Sequence, residues 1–259
     1  MKTVLITGAC INTGVAIVEK FASEGYTVIF TGRNCEKVHA VEKAYKEKFP
    51  DVTIIGYHID SLLDERTVDE ESVDKMFAYL DEQGITVDAL VLNAADQGLG
   101  MEVFENPLTD FMKVINTNVT WNFYLSECAA RRMKENGGGS ITFINSNTAY
   151  RAIPNRVAYV ASKGGQLGLM RALAMDLGKY NIRVNAVLPG MIKTDRWEKN
   201  PEFYAKVPSR YTPIGDVAVG ADIADAVWYF VAHARNTTGA ELVVDGGNTI
   251  QLYPIIPEE

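Results

Sequence analysis

Short apolar runs rich in β-branched residues alternate along the chain with longer stretches in which apolar residues recur at helical spacing. Strands are predicted at seven places: Thr3 to Thr7, Thr27 to Thr31, Thr53 to Ile59, Ala89 to Leu92, Ser140 to Ile144, Arg183 to Val187 and Glu241 to Val244. Helices are predicted between them: Gly14 to Glu24, Glu36 to Lys48, Ser72 to Gln83, Phe111 to Lys134, Ala158 to Lys179 and Ala221 to Ala232. This alternation predicts a doubly wound α/β fold, a seven-stranded parallel sheet with helices on both faces.

No linker, internal repeat or shift in composition divides the chain, so we expect one domain over residues 1–259. A chain of 259 residues that is 47% hydrophobic can bury one large core without metal or disulfide support. The formal net charge of −8 argues against a nucleic acid backbone or an anionic membrane as the main partner.

The cysteines and the longest apolar runs bear on location. Cys10, Cys35 and Cys128 are far apart and odd in number, so we expect neither a disulfide framework nor a metal site. The run from Val4 to Ile6 is too short for a signal-peptide core, and no later stretch approaches the ~20 residues that span a bilayer. A reducing cytoplasm is therefore the expected compartment.

A glycine-bearing turn follows the first predicted strand, from Thr7 to Gly14, and a helix pattern begins at once. In such a turn, backbone N–H groups and the positive end of the helix dipole face an anion. Because this is the first strand-to-helix turn of an alternating α/β chain, it indicates a dinucleotide pyrophosphate site.

The end of the second strand bears on which dinucleotide binds. A carboxylate there would accept the ribose hydroxyls of NAD, whereas a basic residue pairs with the 2′-phosphate of NADP. This chain has Gly32 and Arg33, with no carboxylate before Glu36, which favours NADP(H) over NAD(H). The alternative is that Arg33 only lies on a surface loop. Asp60, at the end of the third strand, is a candidate acceptor for the adenine amino group.

Tyr159 and Lys163 are four residues apart in a predicted helix and therefore share one face. A nearby ammonium lowers the pKa of a phenol from about 10, which makes tyrosine usable as an acid or base. This spacing alone is usually structural, but Ser146 follows the preceding strand, at the sheet edge where such folds bind ligands. Asn116 and Asn118 lie inside another predicted helix. An amide that is buried there needs hydrogen-bond partners; the alternative is that these side chains are exposed to solvent.

Taken together, these residues resemble the classical short-chain dehydrogenase/reductase family over Thr3 to Gly247. The landmarks fall in family order: the glycine turn, Leu92-Asn93-Ala94-Ala95, Asn118, Ser146, Tyr159 with Lys163, Pro189-Gly190 and Asp245-Gly246-Gly247. Ser146 precedes Tyr159 by 13 residues, the usual family spacing. The resemblance implies a single-domain Rossmann fold and reversible hydride transfer between a nicotinamide and a carbonyl/alcohol pair.

The resemblance also implies a role for each residue. Tyr159 would give its proton to the carbonyl oxygen, to which Ser146 would donate a hydrogen bond. Lys163 would hold the nicotinamide ribose and lower the pKa of Tyr159, and Asn118 would keep a relay water behind Lys163 through an opened helix backbone. The implied cofactor-binding residues are Gly8, Cys10, Ile11, Asn12, Gly14, Arg33, Asp60, Asn93, Tyr159, Lys163, Pro189, Gly190, Ile192 and Thr194.

The chain departs from the family pattern in the glycine turn. Asn12 replaces the middle glycine, and asparagine tolerates left-handed backbone better than most residues. Ile11 stands where many NADP-preferring members carry a basic residue, so the preference for NADP(H) depends on Arg33 alone. Leu92 and Ala95 differ from the usual Asn-Asn-Ala-Gly run, and Asn145 replaces a frequent serine.

The expected activity is NADP(H)-dependent reduction of a ketone or aldehyde, or oxidation of the secondary alcohol. Alternatives are an enoyl reductase acting on a C=C bond and a protein that senses NADP(H) without turnover. A substrate lid is expected at about 191–213, and its aromatic residues indicate a partly apolar substrate. The expected substrate contacts are Ser146, Tyr159, Asn147 and Trp197. Family members are commonly tetramers, so we expect a homo-oligomer, a tetramer or a dimer.

Overall fold

The computed structural model of the chain describes residues 2–205 and 207–255. The expected domain range of 1–259 and the expected lid at about 191–213 therefore include positions outside the described residues, namely Met1, Lys206 and 256–259.

Seven parallel strands form one sheet in the described residues, in the order β3-β2-β1-β4-β5-β6-β7. The strands are β1 (Thr3–Ile6), β2 (Thr27–Gly32), β3 (Ile54–His58), β4 (Ala89–Leu92), β5 (Gly139–Ile144), β6 (Ile182–Pro189) and β7 (Glu241–Val244). Each predicted strand overlaps an observed one, which confirms the predicted seven-stranded parallel sheet.

Ten α-helices lie between the strands within the described residues. The longer ones are α1 (Asn12–Ser23), α2 (Cys35–Lys48), α3 (Glu70–Glu82), α4 (Leu108–Ile115), α5 (Trp121–Glu135), α6 (Val157–Leu177) and α10 (Gly220–Trp228). Three short helices lie in the expected lid: α7 (Asp195–Lys199), α8 (Pro201–Ala205) and α9 (Val207–Tyr211). None of the helices that the structure describes is long and apolar enough to cross a membrane.

Two hydrophobic clusters lie on opposite faces of the sheet. Phe77 of α3 and Leu125 of α5 belong to one cluster, and Phe21 of α1 and Ile223 of α10 belong to the other. Successive residues of β1 contribute to different clusters, Leu5 to the first and Val4 and Ile6 to the second. Helices therefore cover both faces, as the near-continuous apolar strands predict.

The strand order reverses between β1 and β4, the point where doubly wound sheets bind ligands. Thr7 and Asn93 join the ends of these two strands. The Thr7 hydroxyl accepts the N–H groups of Asn93 and Ala94, both at 3.0 Å. In return, the Asn93 side-chain amide donates to the carbonyls of Thr7 and Gly8, also at 3.0 Å. These four bonds fix the glycine turn against β4.

Two stretches of backbone are π-helical, Asn116–Thr120 between α4 and α5 and Tyr229–His233 after α10. The first interrupts the single helix predicted over Phe111 to Lys134. A π-helical turn inserts an extra residue and leaves backbone carbonyls without their usual helical partners. Side chains supply partners at both places, as described below.

Candidate functional site

The glycine turn after β1 has no space for side chains at its two glycines. Gly8 has a φ of +64°, and a Cβ there would lie 2.8 Å from the Ala94 Cα. A Cβ on Gly14 would lie 2.6 Å from the Ala9 Cα, so neither position accepts a side chain. Helix α1 begins at Asn12. The side chain of its N-cap residue, Ile11, makes no hydrogen bond to the first N–H groups of the helix. Such N–H groups form a site suited to a phosphate.

Asn12 has a φ of +49°, so it adopts the left-handed backbone conformation that a glycine would take at this position. Its side chain is exposed, as is that of the preceding Ile11. The turn therefore keeps its geometry with asparagine in place of the middle family glycine.

The ends of β2 and β3 form the side of the site expected to hold adenosine. Arg33 and Asp60 are both exposed there. The Cys10 sulfur packs so closely that a Cβ on Gly32 would lie 2.6 Å from it. Burial raises the pKa of the Cys10 thiol, while the nearby charge of Lys37 lowers it. Lys37, in the first turn of α2, is thus a second cation beside the glycine turn, which sequence reasoning missed.

Ser146 and Tyr159 meet beyond the carboxyl end of β5. The Ser146 oxygen accepts the Thr148 N–H at 3.2 Å, which fixes the serine side chain. The Ser146 hydroxyl also lies beside Tyr159, which is in the first turn of α6. Burial raises the pKa of Tyr159, whereas the Ser146 hydroxyl and the charge of Arg156 lower it. The prediction that Lys163 also lowers this pKa stays a prediction.

Lys163 lies one helical turn after Tyr159, with its Nζ 5.6 Å from the Tyr159 ring centroid. The side chain is 1% exposed, and burial lowers its pKa to about 7. Its Nζ donates to the Ile144 carbonyl at 2.9 Å and to the Gln166 Oε1 at 3.1 Å. A buried lysine whose pKa lies near neutrality is typical of functional sites.

Asn118 is fully buried in the π-helical segment between α4 and α5. Its Oδ1 accepts the Asp96 N–H at 2.8 Å, and its Nδ2 donates to the Asp96 carbonyl at 2.8 Å. The same Nδ2 donates to the Ser162 hydroxyl at 2.9 Å. The backbone is therefore opened at the predicted asparagine, and the side chain ties the loop after β4 to α6.

Gln166 completes this cluster, and sequence reasoning did not single it out. Its Nε2 donates to the Asn118 carbonyl at 2.6 Å, and its Oε1 accepts from Lys163. The available signal was a glutamine in the middle of a predicted helix, beside the apolar Leu167 and Met170, where a buried amide needs partners.

The segment after β6 leads into the expected lid. Gly190 follows Pro189, and a Cβ on Gly190 would lie 2.5 Å from the Asp245 Cβ. Ile192 pairs with Ala218, and Thr194 is the N-cap of α7. These contacts attach the start of the lid to the body of the domain.

Trp197, in the segment expected to form the lid, stacks on Tyr204 with ring centroids 4.6 Å apart. Both rings line a cavity of about 390 Å³, together with Lys193, Pro201, Ala205, Pro208 and Asp216. Asn147 lies elsewhere: it is buried, and its amide donates to Asn248 at 2.9 Å and to Asp245 at 3.5 Å. Within the described ranges, no three His, Cys, Asp or Glu side chains gather into a set that could hold a metal.

A family model described as Enoyl-(Acyl carrier protein) reductase matches residues 8–249, most of the chain. The 3alpha-hydroxysteroid dehydrogenase of Mediterraneibacter gnavus is 36% identical over 248 residues, which cover 95% of this chain and 96% of that relative. The chain belongs to the short-chain dehydrogenase/reductase family. It is an oxidoreductase of that family, acting on CH–OH groups with a nicotinamide cofactor.

Solved structures agree with this assignment. A 7alpha-hydroxysteroid dehydrogenase complexed with NADH and 7-oxo glycochenodeoxycholic acid has a TM-score of 0.85 and 31% identity, covering 97% of this chain and 95% of its own. ElxO with NADP bound has a TM-score of 0.83 and 28% identity, covering 96% of this chain and 99% of its own. Among these short-chain dehydrogenase/reductases, one therefore carries NADH and another carries NADP.

The residues singled out in this short-chain dehydrogenase/reductase fall into three groups. Ser146, Tyr159, Lys163 and Asn118 form one connected cluster at the carboxyl edge of the sheet. The glycine turn with Asn93 forms a second group at the ends of β1 and β4. Trp197 lies in the lid, whereas the Asn147 amide is bonded within the protein.

Proposed function

We propose that this short-chain dehydrogenase/reductase is an NADP(H)-dependent enzyme that interconverts a ketone or aldehyde and the corresponding alcohol. The observation that carries the proposal is the Ser146 hydroxyl beside Tyr159, close enough to lower the pKa of the phenol, with Lys163 buried one helical turn away. A hydroxyl pair of this kind binds one oxygen atom from two sides, which suits a carbonyl oxygen.

The residues present fit a dinucleotide. Gly8 and Gly14 let the backbone of the turn approach a ligand closely, and the first N–H groups of α1 have no side-chain cap from Ile11. The pyrophosphate would bind there, with Asn93, Pro189, Gly190, Ile192 and Thr194 along the nicotinamide end and Asp60 at the adenine end. When bound, the nicotinamide would supply or accept the hydride.

The protein's own residues would handle the proton. In the reducing direction Tyr159 gives its O–H proton to the substrate oxygen, and Ser146 donates a hydrogen bond to the same atom. The resulting phenolate is stabilised by the Lys163 ammonium, whose Nζ lies 5.6 Å from the ring centroid. Oxidation of the alcohol uses the same groups in reverse, with Tyr159 as the base.

Arg33 and Lys37 support NADP(H) as the cofactor. Both lie where β2 ends and α2 begins, and Lys37 is close enough to Cys10 to affect its pKa. Two cations there would pair with a 2′-phosphate, which NAD(H) lacks. NAD(H) remains the alternative, since a related structure carries NADH.

An enoyl reductase is the second candidate, because the matching family model carries that description. Enoyl reductases of this fold usually separate the tyrosine and lysine more widely than Tyr159 and Lys163 are separated here. The third candidate, a sensor that binds NADP(H) without turnover, would not need the Ser146 hydroxyl beside Tyr159.

The substrate is proposed to be a partly apolar alcohol or ketone, such as a hydroxysteroid. Trp197 and Tyr204 form a flat apolar wall in the lid cavity, and the relative from Mediterraneibacter gnavus is a hydroxysteroid dehydrogenase. A homo-oligomer, a tetramer or a dimer, is also proposed, since Phe104, Leu108 and Met175 are large apolar side chains exposed on this chain.

The test is to follow loss of reduced-cofactor absorbance with NADPH or NADH and a panel of ketosteroids, sugars, aldehydes and enoyl thioesters. Tyr159→Phe should lower kcat by about 10²- to 10⁴-fold, because the general acid is lost. Tyr79→Phe, an exposed tyrosine on α3, is the control and should retain activity. Wild-type protein that binds cofactor without consuming it, or a fully active Tyr159→Phe, would contradict the proposal.

Cofactor choice has its own test, made by titrating each reduced cofactor and following its fluorescence. Arg33→Ala should weaken NADPH binding by about tenfold or more while NADH changes little, since one charged pair is lost. Lys43→Ala, an exposed lysine farther along α2, is the control. Equal weakening of both cofactors would remove the case for NADP(H).

A further inference from the structure

Gln166 lies three residues after Lys163 on α6, and it is 1% exposed. Both ends of its amide are bonded within the protein. The Oε1 accepts the Lys163 Nζ at 3.1 Å and the Asn145 Nδ2 at 3.3 Å. The Nε2 donates to the Asn118 carbonyl at 2.6 Å.

Its neighbours fix the direction of this amide. An ammonium can only donate and a backbone carbonyl can only accept, so the Gln166 oxygen must face Lys163 and its nitrogen must face Asn118. Asn145 agrees with this direction, because its Oδ1 accepts the Ser146 N–H at 2.6 Å and its Nδ2 is left to donate. Turning the Gln166 amide around would place donor against donor and acceptor against acceptor.

The three atoms that bind the Gln166 amide are also those that could hold a buried water. The Lys163 Nζ and the Asn145 Nδ2 donate, and the Asn118 carbonyl in the π-helical segment accepts. A buried water typically makes about three hydrogen bonds to polar groups of this kind. The family resemblance implies a water behind Lys163, held at Asn118 through the opened helix backbone. In this chain the Gln166 amide bonds to both Lys163 and the Asn118 carbonyl.

We propose that Gln166 is a positioning residue whose side-chain amide replaces a water as the bridge between Lys163 and the opened backbone at Asn118. The inference rests on the proposed function, in which Lys163 serves the reacting tyrosine. The amide fixes the direction of the Lys163 ammonium through protein atoms alone.

Two substitutions separate positioning from packing. Gln166→Met keeps the length of the side chain and removes both polar atoms, while Gln166→Ala leaves room for a water among the same three partners. If Gln166 only filled space, alanine would be the more harmful change, because it creates the larger cavity. If Gln166 positions Lys163, methionine is the more harmful change, because no water can enter.

We therefore expect Gln166→Met to lower kcat by about ten- to hundredfold with a nearly unchanged substrate KM, as a misplaced catalytic group does. Gln166→Ala should recover much of that loss although its Tm is the lower of the two. Asn185→Ala is the control: it removes a buried amide that bonds to the backbone of Thr237 and Ala240, away from the site. It should lower the Tm and leave kcat unchanged.

Crystals of the wild type and of Gln166→Ala test the bridge without any turnover. The wild type should place the Gln166 amide between Lys163 and Asn118, and the alanine variant should hold a water there. A water between those residues in the wild type, or kcat losses that follow the Tm losses, would overturn the proposal. If the wild type consumes no reduced cofactor, the proposed function fails, whereas the bridge is still decided by the crystals.

Discussion

The two π-helical segments use the same backbone irregularity at opposite ends of the sheet. At Asn116–Thr120, near the carboxyl ends of the strands, the Asn118 carbonyl accepts from two neutral amides, Gln166 and Asn122. At Tyr229–His233, near the start of β6, carbonyls accept from the guanidinium of Arg183. That guanidinium also reaches the Ala234 carbonyl at 2.9 Å.

The difference lies in what the donors are themselves connected to. Arg183 bonds to backbone carbonyls and passes no contact on to another side chain, so its bonds to the second segment are structural. Gln166 instead passes the contact on to Lys163, and Asn118 passes it on to Asp96 and Ser162. A π-helical segment is therefore not by itself a sign of function. Its role depends on the donors that bond to its carbonyls and on what those donors contact in turn.

In the comparison of the two segments, the largest effect is expected at Asn118, whose carbonyl is linked through Gln166 to Lys163. Asn118→Leu leaves the Asp96 backbone and the Ser162 hydroxyl without their partner, so kcat should fall by about a hundredfold. The control is Asn116→Leu in the same π-helical segment, where the side-chain amide donates to the Arg66 carbonyl and accepts the Thr120 hydroxyl, away from Lys163. Steady-state kinetics compare the two, and equal losses would show that the segment acts as a whole.

A smaller effect, on stability alone, is expected at the second segment. Arg183→Met leaves carbonyls of the π-helical segment unpaired and should lower the free energy of unfolding by about 2–4 kcal/mol. Denaturant titration measures this loss, and kcat/KM of the folded variant should equal that of the wild type. Arg235→Met, an exposed arginine just after the segment, is the control. A loss of activity without a loss of stability would remove the contrast between the two segments.

The smallest effect is a pH dependence of stability caused by Lys163. Its folded pKa of about 7 is below the unfolded value of 10.5, so the unfolded chain binds more protons between those values. The free energy of unfolding should therefore rise with pH above 7, by up to about 1.4 kcal/mol per pH unit. The penalty for charging the buried lysine is fully present below pH 7.

Denaturant titrations without cofactor at pH 7 and pH 8.5 measure this rise in the wild type, in Lys163→Met and in an exposed control, Lys43→Met. The Lys163 variant should lack about 1–2 kcal/mol of the rise, while other titrating groups cancel between the proteins. Equal slopes in all three would mean that Lys163 keeps an ordinary pKa in the folded chain.

The sequence predicted the strands and longer helices well, because apolar strands and amphipathic helices have distinct periods. Ser146, Tyr159 and Lys163 could be placed from their spacing and from the strand that precedes them. The π-helical opening at Asn118 was expected only through the family resemblance. No local period marks a π-helical turn, and the second one, at Tyr229–His233, was not predicted.

Gln166 and Arg183 were missed for one physical reason. A polar side chain on a predicted helix or strand is usually solvated, and only the partner that folding brings to it shows otherwise. Gln166 finds Asn118, 48 residues earlier, and Arg183 finds Phe230, 47 residues later. Contacts at that separation depend on the completed fold and leave no signal in a short window of sequence.

The four hydrogen bonds that join Thr7 and Gly8 to Asn93 and Ala94 have a consequence for how this enzyme can diversify. They join the strand that carries the phosphate turn to the first strand of the other half of the sheet. Among the described residues of the expected lid, at about 191–213, none takes part in these bonds. Mutations that reshape the lid for a new substrate can therefore accumulate while the spacing between the two halves is inherited unchanged.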